Sequence, residues 1–233
     1  SSDLGMTAWA GDDPTLDRYS GFSIGANRHG VLCCDSNVVT LDGHQNYDVM
    51  TEAALRHGTD VPTAVEAIRA ACAEEATSWG NLVMIDRHSA AVVEVRGHDI
   101  AATYVDRPTA RSNHHLALGH HELQEDHRTT ELRLASAQRN LDRVTVVDDI
   151  FALQAAHDDG ATGVCNHSDL TTVYSYVLQM TVAGLLLHVV QGRPCSGSPR
   201  VSLPVPLGEA HSEGAVARFL ADYPTATKRN AAA

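Results

Sequence analysis

Two short polar clusters hold the residues best suited to chemistry. Asp35, Ser36 and Asn37 stand together where the apolar run Val31-Leu32-Cys33-Cys34 ends, and polar groups at the end of a buried strand are a common place for a site. The same three residues would also serve as an ordinary strand cap and turn. The second cluster is Ser112-Asn113-His114, which precedes the apolar segment from Leu116 and is read as the polar lead into a strand. In an extended segment His114 should point away from Asn113, because neighbours on a strand face opposite sides. A hydrogen-bonded structural histidine is the plainer role for it.

Other chemistries find less support. Fourteen histidines invite a metal, yet His114-His115 and His120-His121 are adjacent pairs and neither HExxH, HxH nor CxxC occurs, so no metal and no cofactor is expected. Ser196-Gly197-Ser198 lies in a proline-rich loop, without the strand-to-helix context of a hydrolase nucleophile elbow. Gly21 and Gly25 precede a turn rather than a helix, which argues against a phosphate loop. Cys33 and Cys34 sit inside an apolar run, where burial raises a thiol pKa, and Cys72 recurs at core spacing; all three read as packing residues.

The elements that must position these residues follow from pattern. Gly21 to Gly43 reads as two β segments joined by the turn Asn27-Arg28-His29-Gly30, with Gly30 free to take positive φ. Leu4, Met6 and Ala8 alternate as in a strand. Tyr47 to His57 reads as a helix ending before Gly58. Asp60-Val61-Pro62 opens a second helix, with Ala64, Ile68, Ala71 and Cys72 on one face. Trp79-Gly80-Asn81 breaks the pattern before a strand at Leu82 to Ile85. A loop at Asp86 to Ser89 then leads to strands at Ala90 to Val95 and Ala101 to Val105. Helices are expected at Thr130 to Arg143 and, capped by Asp148 and stopped at Gly160, at Asp148 to His157. A hairpin follows, Val173 to Met180 with Leu185 to Gln191, then an extended tail through Pro199, Pro204 and Pro206, and a short helix at Ala215 to Ala221. Runs of strands and runs of helices favour an α+β fold.

The chain has 233 residues, of which 43% are hydrophobic and 5% aromatic, enough for one large core filled mainly by aliphatic side chains. A net charge of -12 would repel a phosphate backbone, so nucleic acid is not expected as a partner. The longest apolar run, Val182 to Val190, is too short to span a membrane and contains His188. Five cysteines without framework spacing suggest reduced thiols and a cytoplasmic setting.

Five segments, in order, carry a resemblance. Gly25-Ala-Asn-Arg-His-Gly-Val-Leu32 resembles the G-x-N-x-x-G-(L/V)-x strand of the isopenicillin N acyltransferase-like family, a family of N-terminal-nucleophile hydrolases and acyltransferases. Asp60 to Ala73 resembles the helix that follows it. Asn81 to Asp86 with Val92-Val93-Glu94 resembles the strand pair ending in an apolar-apolar-Glu step. Arg111 to Leu116 resembles the Thr-Asn-His motif, and Leu187 to Pro194 the closing strand with its Gly-Arg-Pro end. The match runs from about Gly21 to Leu207.

The resemblance implies a four-layer αββα sandwich of two antiparallel sheets between helix layers, filling residues 1–210 as one domain. The residues after it, 211–233, are expected to form a C-terminal short helix and a flexible tail. It implies an amide hydrolase or acyltransferase, of a kind also met in secondary metabolism, that takes a small amide or thioester as acyl donor and water or an amine as acceptor. Autoproteolysis would expose the nucleophile as residue one, whose α-amine, with a pKa near ~8, serves as base. Asn113 would help form the oxyanion hole. Asp35, Asn37 and His114 would border the substrate.

The family's cysteine nucleophile and its Gly-Arg-Asn-x-Asp strand are not found before Gly21. Ser1 in place of the cysteine is one expectation. A nucleophile on an upstream cleaved peptide is a second, and a binding protein without covalent chemistry a third. A homo-oligomer is compatible with each.

Overall fold

The computed structural model describes residues 4–6, 23–38, 47–119, 127–157, 163–165, 167, 172 and 174–224. Within these the chain is α+β. The strands are β1 (Leu4–Met6), β2 (Ile24–Ala26), β3 (Leu32–Asn37), β4 (Thr77–Ile85), β5 (Ala90–Gly97), β6 (Asp99–Val105), β7 (Tyr174–Thr181), β8 (Gly184–Gln191) and β9 (Arg200–Pro204). The helices are α1 (Asp48–His57), α2 (Val61–Glu74), α3 (His127–Leu141), α4 (Val147–Gln154) and α5 (Glu213–Asp222). Both sheets are antiparallel, one ordered β1-β2-β3-β4-β5-β6 and one β7-β8-β9. The chain divides into two compact units, Ser1–Leu134 and Ala135–Ala233. None of the described helices is long and apolar enough to cross a membrane.

In the first unit the side-chain alternation of the sheet separates a dry face from a polar one. Val31, Cys33, Leu82, Met84 and Val93 form a buried core with Met50 and Leu55 of α1 and Ile68 of α2. Asp60 caps α2 by accepting from the Thr63 amide at 2.8 Å, and Asp86 of the β4–β5 loop accepts from the Val61 amide at 2.7 Å. Gly58 ends α1 with its amide on Ala54 O; a Cβ there would lie 2.7 Å from Ala64 Cβ, so glycine lets the two helices meet.

Asn27 joins the β2–β3 turn to these helices. Its Nδ2 donates to Leu55 O at 2.9 Å and to Gly58 O at 2.7 Å, while its Oδ1 accepts from the His29 and Val31 amides. Gly30 takes φ +84°, as the turn requires.

Three expectations are corrected. Asp35, Ser36 and Asn37 do not follow β3 but belong to it, paired with Leu82, Asn81 and Gly80. Trp79-Gly80-Asn81 lies inside β4, and the broken pattern there coincides with a register irregularity between Thr77 and Gly80. Residues 111–118 form a loop without strand pairing, because their amides are taken by side chains.

In the second unit β7, β8 and β9 form a meander, the last adding a strand where only an extended tail was expected. The N-cap of α4 is Val146 rather than Asp148, which lies inside the helix; the third helical residue, Asp149, reaches back, its Oδ2 accepting from the Thr145 and Val146 amides at 2.8 and 3.0 Å. Gln154 of α4 donates to Tyr176 O on β7 at 3.1 Å. The expected last helix forms as α5, capped by Ser212. Gly160 and residues 225–233, where a helix stop and a flexible tail were expected, lie outside the described residues.

Candidate functional site

On the sheet face opposite α1 and α2, strand register aligns Ser36 of β3, Asn81 of β4 and Glu94 of β5 in one row. Asn81 and Glu94 are 0% and 1% exposed, so these two members of the row are polar yet removed from water. Buried polar groups need internal partners, and the loop 111–118 supplies them for the Asn81 side-chain N–H groups and the Glu94 carboxylate, while Asn81 Oδ1 has none. Asn81 Nδ2 donates to Ser112 O at 2.8 Å and His114 O at 3.1 Å, and Ser36 Oγ donates to Ser112 O at 3.0 Å.

Glu94 anchors the other end of the loop. Its Oε1 accepts from the Leu116 amide at 2.9 Å, and its Oε2 from the Ala117 and Leu118 amides at 2.8 and 2.9 Å. Arg111 stands 3.8 Å from the same carboxylate. Burial lowers the Arg111 pKa from its ordinary value, and the Glu94 charge acts against that shift. Arg96 adds a bond to Leu118 O at 3.2 Å, and His115 meets Gly80 O at 3.2 Å; burial lowers the His115 pKa and favours the neutral ring.

Thr130, in the first turns of α3, is the hub on the remaining side. Its Oγ1 lies 2.9 Å from the Asn113 amide, 2.9 Å from His114 Nδ1 and 2.6 Å from Ser112 Oγ. Ser112 Oγ donates to Thr130 O at 2.8 Å. With one proton per hydroxyl, Thr130 then donates to Ser112 and accepts from Asn113 N–H and from His114 Nδ1–H. This assigns the His114 tautomer and explains why a histidine can be 2% exposed.

Asn113 emerges from this clamp with its side chain on the exposed side. Its Nδ2 donates to Asn37 O at 2.7 Å. The structure therefore brings together two of the expected site residues, Asn113 and Asn37. Of the other three, it directs two elsewhere. His114 turns into the Thr130 hub. Asp35 faces α1, where Thr51 Oγ1 donates to its Oδ2 at 3.0 Å. Burial pushes the Asp35 carboxyl well above the ordinary aspartate range, and the neighbouring Asp48 carboxyl adds to the push, by charge and by a shared hydrogen bond.

Ser1 lies outside the described residues. Leu4, at the start of β1, pairs with Ala26, which pairs with Leu32, five residues before Asn37 on β3. Cys33 and Cys34 are packing residues as expected. Burial raises both thiols, Cys34 to about 12.

Asn81 and Thr130 were not legible as site residues, since each becomes one only through a partner more than ten residues away, and Ser36 was legible only as a member of the Asp35–Asn37 cluster. Among the described residues one group of side chains converges as metal ligands would: His157, Cys165, His167 and Cys195 of the second unit. The Cys165-x-His167 spacing was its only local signal. No family model matches the chain, and no curated protein matches it.

Proposed function

We propose that the chain works in acyl transfer: an amide hydrolase or acyltransferase of the N-terminal-nucleophile class, acting on a small acylated amine, amide or thioester. The observation that carries this reading is the presentation of Asn113. Its backbone is fixed by Thr130 and Asn81, its amide plane is oriented by the bond to Asn37 O, and its side chain stands at an exposed strand end. A preorganised N–H donor of this kind stabilises an oxyanion without reorganising during the reaction. The two antiparallel sheets and five helices of the described residues are compatible with the αββα sandwich this class requires.

In the reaction the nucleophile attacks the acyl carbon and the carbonyl oxygen gains the negative charge. The side-chain amide of Asn113 is the donor called on to meet it. Collapse expels the amine or thiol and leaves an acyl-enzyme, which water or an amine resolves. With Ser1 as nucleophile, its own α-amine takes the hydroxyl proton. The odd number of cysteines supports a cytoplasmic setting for this chemistry.

The register of β1 favours a second source for the nucleophile. Five strand residues separate the Leu4 level from Asn37, about 17 Å. Three residues of chain from Leu4 to Ser1 reach at most about 11 Å. In this second reading the attacking group belongs to an upstream peptide that stays bound, and this chain supplies the oxyanion half.

Acyl trapping separates the readings. The protein, expressed from its full reading frame, is incubated with activated thioesters and chromogenic amides, and the adduct is located by intact mass and peptide mapping. An adduct on Ser1 supports the first reading, and one on a co-purifying peptide that begins with Cys supports the second. Stoichiometric ligand binding without adduct or turnover overturns both and leaves a binding protein.

A further inference from the structure

The second unit brings together four metal-ligating side chains from three separate segments. His157 lies just beyond α4. Cys165 and His167 lie in the segment that folds back on it, where the Cys165 amide donates to Ala156 O at 3.2 Å. A Cβ on Gly163 would lie 2.8 Å from His157 Cα, so glycine at this position allows the return. Cys195 sits in the 3-10 turn Pro194–Ser196 that follows β8.

The donor atoms, one per residue, all lie within 4.8 Å of one another. His157 Nε2 is 3.0 Å from His167 Nε2. His167 Nε2 is 3.4 Å from Cys165 Sγ and 3.1 Å from Cys195 Sγ, and the two sulfurs are 3.6 Å apart. A tetrahedral zinc ion, with bonds of about 2.0–2.1 Å to nitrogen and about 2.3 Å to sulfur, sets its ligands about 3.3 Å (N to N), 3.5 Å (N to S) and 3.8 Å (S to S) apart. The four spacings among His157–His167, His167–Cys165, His167–Cys195 and Cys165–Cys195 follow the same order and fall a few tenths of an ångström short, and the distances from His157 to the two sulfurs lie within 4.8 Å.

Hydrogen bonding alone does not account for the cluster. His167 Nε2 has three close partners, yet a ring nitrogen has either one proton or one lone pair to offer. The sulfurs are too far apart for a disulfide, whose bond is about 2.05 Å.

We propose that His157, Cys165, His167 and Cys195 bind one Zn²⁺ ion in a closed tetrahedral Cys2His2 site. Four protein ligands leave no open position, so the ion is structural: it ties the end of α4, the 163–167 segment and the turn after β8 together. Two thiolates neutralise the dication. Among the described residues Arg193 opposes the cation. Its Nη1 lies 3.1 Å from His167 Nδ1 and can only donate, which calls for a lone pair at Nδ1. Coordination through Nε2 puts the proton on Nδ1, so Arg193 swings away as the metal enters. The site is independent of the acyl-transfer reading and lies in a different unit.

The test is metal analysis of the intact chain purified under reducing conditions without chelator, followed by chelation and titration of the apo chain with Co²⁺ and Zn²⁺. The expected results are about one zinc per chain and, with cobalt, the intense visible absorption of tetrahedral Co²⁺ with thiolate charge transfer, both abolished in the double variant Cys165→Ser/Cys195→Ser. His157→Gln removes the exposed ligand, so it tests the site even if the double variant fails to fold. It lowers zinc affinity at least about tenfold, the lower end of what loss of a mere outer-shell partner costs, while His88→Ala binds as the parent does. Arg193→Ala binds at least as tightly as the parent. A reduced, folded chain that holds no zinc and gives no tetrahedral cobalt spectrum overturns the proposal. So does an unchanged affinity in His157→Gln.

Discussion

The side-chain amide of Asn113 donates to the main-chain oxygen of Asn37 at 2.7 Å, joining residues 76 positions apart in sequence. The bond ties the loop over the polar face to the last residue of β3 and sets the direction in which the amide presents its protons. Replacing Asn113 by Ala in the active protein should lower kcat about 10²–10³-fold, or about 2.7–4 kcal/mol of barrier, if it is the oxyanion donor. The lost bond is partly exposed and should cost only about 1 kcal/mol of stability. Steady-state kinetics beside urea denaturation check this. An activity loss no larger than the stability loss would remove the assignment.

Glu94 should be the most sensitive single position on the polar face. It accepts three backbone amides and faces Arg111 while only 1% exposed. Glu94→Ala leaves those amides and a buried guanidinium without their acceptor, at a cost of about 3–5 kcal/mol. Urea unfolding of Glu94→Ala and of Glu94→Ala/Arg111→Met measures it. The double variant should recover part of the loss, because the orphaned cation is gone.

Asp35 predicts a pH dependence. Burial, then the Asp48 carboxyl, raises its folded pKa above the unfolded value, so in that range the folded chain holds a proton that the unfolded chain has released. The stability it supports is full below the ordinary aspartate pKa and is lost as pH rises through the raised folded value. Asp35→Asn keeps the acceptor for Thr51 and removes the ionisation. It should flatten the fall in stability on the alkaline side of the ordinary aspartate range and raise stability at neutral pH. An unchanged slope in denaturation curves across that range would contradict the Asp35 assignment.

Asn27→Ala should destabilise by about 3 kcal/mol, since it removes a buried side chain that holds two carbonyls and two amides between the turn and the helices. Thermal and urea unfolding measure this. A loss under about 1 kcal/mol would mean that water replaces the amide.

Much of the scaffold is legible from local pattern. The turn with Gly30 at positive φ, α2 with its Asp60 cap, and the loop Asp86 to Ser89 form where periodicity and turn chemistry place them. Local rules failed where a distant partner outweighed local preference. The segment Ser112 to Leu118 has strand-like composition, yet Glu94, Asn81 and Thr130 take its backbone groups and hold it as a loop. The spacing argument tested neighbouring histidines and so did not register the group His157, Cys165, His167 and Cys195, which converges only on folding.

The sequence by itself determined the α+β class and the buried state of Cys33 and Cys72, because burial periodicity and capping act within one turn or one strand. Tertiary structure alone decided that Ser36, Asn81 and Glu94 form one row, that His114 faces Thr130 and that Asn113 meets Asn37. Each of these depends on strand register and loop closure, which set distances between residues far apart in the chain.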